Sequence, residues 1–211
     1  MKVYEIYTSI QGETRHAGRP CTLVRFAGCD LRCTYCDTEQ AFTGGRESTV
    51  DEILADVRAR GVRLVLLTGG EPLLQRDLPA LCERLLTEGF EVMVETSGAH
   101  DTARLHAGVA TILDVKTPGS GESAHNLWSN LERLGGRDAV KFVLTSEADY
   151  RFATQVIRDR GLAQRAEVLL SPAWGLLDPR DLVAWMLRDR LEARLNLQIH
   201  KYVWGPDAQK V

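Results

Sequence analysis

Three cysteines in Cys29-Asp30-Leu31-Arg32-Cys33-Thr34-Tyr35-Cys36 stand at the spacing C-x3-C-x2-C. Thiolates this close, on a loop after an apolar run, form a cup for one metal centre. A cubane iron–sulfur cluster normally takes four cysteines, so a chain that supplies three leaves one iron open to another ligand. Zinc fits less well: a structural zinc site takes four protein ligands, and the other two cysteines, Cys21 and Cys82, stand alone. Disulfides are disfavoured, because no secretory signal precedes three cysteines crowded into eight residues.

Other residues carry potential chemistry. Gln11 and Glu13 flank Gly12; an amide and a carboxylate two positions apart can read a ring edge that offers donors and an acceptor, although such a sequence is also an ordinary solvated turn. Arg25 interrupts an apolar strand and is either an edge-strand arginine facing water or a guanidinium held for an acid or a ligand. Thr68-Gly69-Gly70-Glu71-Pro72 follows a continuous apolar strand, and backbone free of side chains at such a strand end is where α/β proteins bind ligands. Asp114 and Lys116 close another strand, where the lysine can hold a carboxylate or simply face solvent. Ser171 suits an adenine or a ribose, and Trp174 a core or an interface. Of the five histidines, His200 is the one that reads as a ligand contact. Cys21 and Cys82 read as small core residues.

Positioning these groups requires alternating strands and helices. Strands are expected at 3–7, 21–28, 63–67, 90–95, 110–115, 139–144, 166–170 and 194–200. Helices are expected from the Ser48/Thr49 cap onward with Ile53, Leu54 and Val57 inward, and at 77–87, 150–160 and 179–191. Each strand ends in small polar residues, which lines them along one rim of a parallel sheet. The tail Lys201-Tyr202-Val203-Trp204 is too aromatic for a disordered end.

The chain has 211 residues, 44% of them hydrophobic, and a net charge of −3. That suits one domain spanning 1–211 and gives no basic footprint for nucleic acid or a membrane surface. No signal peptide or membrane span is apparent, so a cytoplasmic, reducing location is expected.

The ordered set S-I-Q-G-E, V-R-F-A-G-C, C-x3-C-x2-C-D-T, L-T-G-G-E-P, V-E-T-S-G, D-V-K-T-P and Q-I-H-K resembles the 7-carboxy-7-deazaguanine synthase family of the radical S-adenosylmethionine (SAM) superfamily, across nearly the whole chain. The resemblance implies an α/β fold, a partial (open) TIM-like (β/α) barrel. It implies a lyase that converts 6-carboxy-5,6,7,8-tetrahydropterin to 7-carboxy-7-deazaguanine with loss of ammonia, on the route to queuosine. A 5′-deoxyadenosyl radical takes and later returns the substrate hydrogen. The implied cofactors are a [4Fe-4S] cluster, SAM and Mg2+.

Carried over by motif, Cys29, Cys33 and Cys36 hold the cluster and Thr38 the magnesium. Tyr35, Gly70, Ser97, Asp114, Lys116 and Ser171 form the SAM set, and Ile10, Gln11, Gly12, Glu13, Arg25, Thr68 and His200 bind the pterin. The implied partners are an external flavodoxin-like or ferredoxin-like electron donor and a second copy in a homodimer, with the aromatic tail at the interface. In some members the terminal carboxylate touches substrate just behind the His-Lys pair, whereas here Gly205 to Val211 continue further. The rival readings are an activase that installs a glycyl radical on a partner protein, and a non-catalytic iron–sulfur or zinc module.

Overall fold

The computed structural model describes residues 1–208 and 210. Strands β1 (Lys2–Ile10) and β2 (Pro20–Phe26) pair antiparallel, and β3 (Arg46–Glu47) adds to the outer edge of β1. From β2 onward the sheet is parallel, through β4 (Leu64–Gly69), β5 (Glu91–Thr96), β6 (Ala110–Asp114), β7 (Ala139–Leu144), β8 (Glu167–Pro172) and β9 (Arg194–Leu195). The order is β3-β1-β2-β4-β5-β6-β7-β8-β9 and the two end strands do not pair, so the barrel is open.

Helices α1 (Val50–Arg60), α2 (Leu78–Thr87), α3 (Glu147–Asp159) and α4 (Pro179–Asp189) supply crossovers. Thr49 and Glu52 close the start of α1 as a reciprocal capping box, and Gly61 ends it at φ 68°. The crossovers flanking β6 contain only 3-10 turns, at Thr102–Arg104 and Trp128–Arg133 among others.

The period of two along each strand divides the interior. Val24, Val65, Leu67, Val92 and Val94 pack outward on Ile53, Leu54 and Val57 of α1 and Leu78, Leu81 and Leu85 of α2. Leu113, Val140, Phe142, Val168 and Leu170 pack on Tyr150, Ala153 and Ile157 of α3 and Leu182 of α4. The opposite parity gives the smaller barrel floor: Cys21, Leu64, Leu66, Met93, Ile112, Ala139 and Leu169. Cys21 and Cys82 are fully buried, and burial pushes both thiols up to about 12.

The last strand differs from expectation. The alternation at 194–200 predicts seven strand residues, but β9 keeps two and the chain turns into the short helix α5 (Ile199–Trp204). The cause is a competing partner: the Ile199 N–H donates to the Gly12 carbonyl at 2.9 Å, while Asn196 and Gln198 are drawn onto Glu13 at 3.2 and 3.1 Å. Arg25 is corrected too. Its strand β2 lies between β1 and β4, so it is no edge-strand arginine facing water, and its Nε donates to Glu5 at 2.9 Å.

Candidate active site

One step beyond the floor, at the carboxyl ends of the strands, the inward positions turn polar in every parallel strand. They are Arg25 on β2, Thr68 on β4, Glu95 on β5, Asp114 on β6, Lys141 on β7 and Ser171 on β8, with Asn196 following β9. Register places Arg25 beside Thr68 and Asp114 beside Lys141. Hydrogen bonds join Thr68 to Glu95 at 3.3 Å and Asn196 to Ser171 at 2.8 Å. A buried polar layer holds together only if its members satisfy one another.

Lys141 is its centre. Its side chain is 8% exposed, and Nζ donates to Glu95 and, at 3.2 Å, to Glu13, with Asp114 at 3.9 Å. Burial works against the ammonium, but Glu13, Glu95 and Asp114 outweigh it and raise its pKa well above the usual value. Burial likewise opposes the Glu95 charge, and Lys141 overrides it to lower that carboxyl. Burial also works against the Arg25 guanidinium, which Tyr7 and Glu5 hold charged.

The turn after β1 forms the next wall. Gln11 is buried, and its N–H donates to the Arg19 carbonyl at 2.8 Å. Glu13 gathers Lys141, Asn196 and Gln198, while the Thr14 N–H donates to Asn196 Oδ1 at 2.9 Å. Thus Gly12, Glu13 and Thr14 meet the C-terminal segment across the open side of the sheet, while Ile10 still pairs with Pro20 and Gln11 turns back onto Arg19. The His200 ring lies against Gly12 so closely that a Cβ there would overlap it.

Burial, helped by the Lys201 ammonium, holds the His200 pKa below its ordinary 6.5 against the opposing pull of Glu13, Asp37 and Glu95, so the ring is neutral at pH 7. As pH falls below 6.5 the unfolded chain takes up this proton before the folded one, and the contribution of the neutral ring to stability is lost. His200→Gln is therefore expected to flatten the acid side of the profile of melting temperature against pH. An unchanged slope between pH 7 and pH 5 would remove His200 from that role.

The cysteine loop caps the same rim. Cys29, Cys33 and Cys36 are free, half-buried thiols. Among the described residues no group of three or more His, Cys, Asp and Glu side chains gathers around one ion-sized point. Burial pushes all three thiols up, so a metal bound here would have to supply their ionisation. Gly70 backs directly onto this loop: the Glu71 N–H donates to the Gly28 carbonyl at 2.8 Å, and a Cβ on Gly70 would stand 2.9 Å from the Cβ of Cys29 and run into the Gly28 carbonyl. Gly70→Ala is expected to cost about 1–3 kcal/mol, as overpacking does, and to weaken SAM binding at least tenfold. Thermal unfolding and a SAM titration check both, and wild-type values would refute the close approach.

Lys116 is buried, not solvated. Its Nζ donates to Asp114 Oδ2 at 2.9 Å; burial opposes its charge, and Asp114 and Tyr35 outweigh that and raise it. The other oxygen, Asp114 Oδ1, and the Tyr35 hydroxyl are buried and lack hydrogen-bond partners among the described residues. An orphan acceptor and an orphan hydroxyl beside the cysteine loop match a cofactor that carries an amine, hydroxyls and a carboxylate. Ser97 sits at the end of β5, its N–H donating to Glu71 Oε2 at 2.7 Å, while Glu71 Oε1 accepts from Thr96 at 2.8 Å. Thr38 lies at the loop's far end and donates to Asp37 Oδ1 at 3.0 Å, and Asp37 Oδ2 accepts from Lys201 at 2.8 Å.

Sequence reasoning passed over Glu95, Lys141, Asn196, Gln198 and Lys201. A usable signal existed for Lys141: in Ala-Val-Lys-Phe-Val-Leu a charge interrupts a buried strand, as Arg25 does in its own.

Comparison with known proteins agrees with this geometry. The radical SAM superfamily profile matches residues 23–114. The chain is 43% identical to a 7-carboxy-7-deazaguanine synthase of Koribacter versatilis, covering 100% of both chains. It is also 43% identical to one of Chlorobaculum tepidum, covering 100% of this chain and 97% of that one. Among solved structures, QueE from Escherichia coli superposes with a TM-score of 0.73 at 23% identity, over 93% of this chain and 92% of that one. Streptococcus suis SuiB bound to S-adenosylmethionine gives 0.55 at 16% identity, over 83% and 51%. The end-to-end identity to named relatives and the cysteine loop set against a polar strand rim agree: this chain belongs to the 7-carboxy-7-deazaguanine synthase family of radical SAM enzymes.

Proposed function

We propose that the chain converts 6-carboxy-5,6,7,8-tetrahydropterin to 7-carboxy-7-deazaguanine with loss of ammonia, as a radical SAM lyase of queuosine biosynthesis. The observation that carries this reading is the polar layer, in which two carboxylates joined by Lys141 share one rim with Arg25 and face the three-cysteine loop. Cys29, Cys33 and Cys36 would hold the cluster, and Tyr35, Gly70, Ser97, Asp114, Lys116 and Ser171 the SAM. Together the cluster and SAM supply one-electron chemistry, the reversible removal of a hydrogen atom from substrate.

The chain's own residues do the rest. Arg25 donates its Nε to Glu5, with Tyr7 also against the guanidinium, and its fork would take the substrate carboxylate. Glu13 and Glu95 accept ring N–H groups, with Gln11 and Thr68 alongside, and neutral His200 closes the wall against Gly12. The apolar floor of Leu66, Met93, Ile112 and Leu169 excludes water beneath. Thr38 would offer a bound magnesium ion a hard hydroxyl oxygen, and the ion would supply positive charge beside the substrate carboxylate.

The polar set of Gln11, Glu13 and Arg25 favours a small charged substrate over the glycyl-radical activase reading. An external flavodoxin-like or ferredoxin-like protein would deliver the electron in a reducing cytoplasm. No helix among the described residues is long and apolar enough to cross a membrane. A homodimer is the assembly we favour: Trp174 packs edge-on to Tyr202 at 5.1 Å, and Tyr202, Val203 and Trp204 lie exposed beside it. Val211, whose carboxylate could reach substrate as in some relatives, lies outside the described residues.

The test is anaerobic reconstitution with iron and sulfide, followed by SAM, dithionite and the carboxytetrahydropterin, with product read by absorbance and mass. Deazaguanine product is expected. A cluster that cleaves SAM without product would sink the substrate assignment and favour the activase. Failure to take up a cluster would sink the radical reading itself.

A further inference from the structure

The run Thr117-Pro118-Gly119-Ser120-Gly121-Glu122, just after Lys116, binds no substrate in the reading above, yet it is strongly built. Thr34, between Cys33 and Cys36, donates its hydroxyl to the Gly119 carbonyl at 2.7 Å and its N–H to the Ser120 carbonyl at 3.0 Å. The Arg32 N–H donates to Glu122 Oε1 at 2.6 Å. The residues on both sides of Cys33 are thus pinned by one loop.

The loop is anchored from below. Asp149, in the first turn of α3, is 1% exposed. Its Oδ1 accepts the Gly119 N–H at 2.8 Å, and its Oδ2 accepts the Thr145 N–H at 2.9 Å and the Thr145 hydroxyl at 2.7 Å. Thr117 donates to the Val143 carbonyl at 2.9 Å, and Ser120 to the Thr117 carbonyl at 2.6 Å. At Gly119 a side chain would collide with Asp149 and Thr145. A carboxylate this buried, with all three of these bonds spent on two loops, is placed for position and not for chemistry.

We propose that residues 117–122 are a clasp over the cluster-binding loop, with Asp149 as the positioning residue at its base, and that this clasp sets how firmly the cluster is retained. Cys29 has a support outside the clasp in its neighbour Gly28, whose N–H donates to the Ala41 carbonyl and whose carbonyl accepts from the Glu71 N–H, both at 2.8 Å, while Cys36 is tied back to Cys33 by its N–H on the Cys33 carbonyl at 3.1 Å. Cys33, flanked by both clasped residues, depends on the clasp most. Because the clasp continues directly from Asp114 and Lys116, it also joins the SAM set to the cysteine loop through one short stretch of backbone.

The inference rests on the cluster reading, and the test separates the two. Wild type, Thr34→Val, Thr34→Ser and Asp149→Asn are reconstituted anaerobically, then challenged with EDTA well below their melting temperatures while the visible absorbance of the cluster and bound iron are followed. Thr34→Val is expected to lose its cluster about five to ten times faster than wild type, the factor one hydrogen bond is worth, with Thr34→Ser restored to the wild-type rate. Asp149→Asn, which sets an amide N–H2 against N–H donors, should be faster still. Thr34 is exposed, so its variants fold and decide the matter even where Asp149→Asn does not. Wild-type retention in Thr34→Val, or equal loss in Thr34→Ser and Thr34→Val, overturns the clasp. Wild type that takes up no iron overturns the cluster reading instead.

Discussion

Arg25→Ala is expected to lose turnover of the carboxypterin by roughly 10²–10³-fold in kcat/KM, the cost of truncating one partner of a buried, hydrogen-bonded charge pair, while SAM binding stays near wild type. Two effects add. The guanidinium that would hold the substrate carboxylate is gone, and Glu5, whose side chain is 11% exposed, is left as a bare anion facing that carboxylate. Arg25→Lys should recover only part, because an ammonium keeps the charge but not the fork that engages Glu5 and a second carboxylate together. Substrate titration and SAM titration on the same reconstituted protein check the separation. Equal loss of both would mean that Arg25 supports the sheet and not the substrate, and unchanged turnover would remove it from the site.

Lys141→Met should be costlier, because its ammonium joins groups from three parts of the chain. Without it Glu13 keeps only Asn196 and Gln198, and Glu95 only Thr68, so two carboxylates share a largely buried layer with no cation between them, a situation that costs up to about 3–5 kcal/mol. For a chain of this size that is roughly 10 °C in melting temperature. Turnover should fall by more than about 10²-fold, since both acceptors for the substrate ring are displaced or protonated. The informative variant is the double one. Adding Glu95→Gln to Lys141→Met removes one of the two stranded charges, so stability should return in part while turnover does not. If the single variant melts with wild type, the Lys141 contacts carry no weight; if the double variant regains turnover, Lys141 is merely structural.

Much of this was legible in the sequence, for reasons that differ by element. The strands of the parallel sheet announce themselves as continuous apolar runs because both faces are covered, and Gly-Gly-Glu-Pro marks the site because only bare backbone fits against Gly28 and Cys29. Arg25 was flagged, but its partner was not, since Glu5 stands opposite it only once β1 and β2 pair. Lys141 went unnoticed because its partners, Glu13 and Glu95, lie 128 and 46 residues away, and no local pattern encodes a separation of that kind. The final strand was read too long for the opposite reason. The alternation in Leu-Asn-Leu-Gln-Ile is real, and the Asn196 N–H still donates to Leu170 of β8, but beyond it the hydrogen bonds of Gln198 and Ile199 go to the turn after β1 and to Asp37.

The unpaired ends of the sheet bear on what occupancy does to the protein. Where a closed barrel would continue its ladder of backbone bonds, this chain relies on Glu13, Asn196, Gln198 and Gly12 to span the gap. A molecule seated on the polar rim against Glu13 would add cross-braces beside this gap, standing in for the missing staves of the cask. On the proposed reading, rigidity would then come with loading, and the wall around a reactive species would be firmest during the interval in which leakage would do most harm.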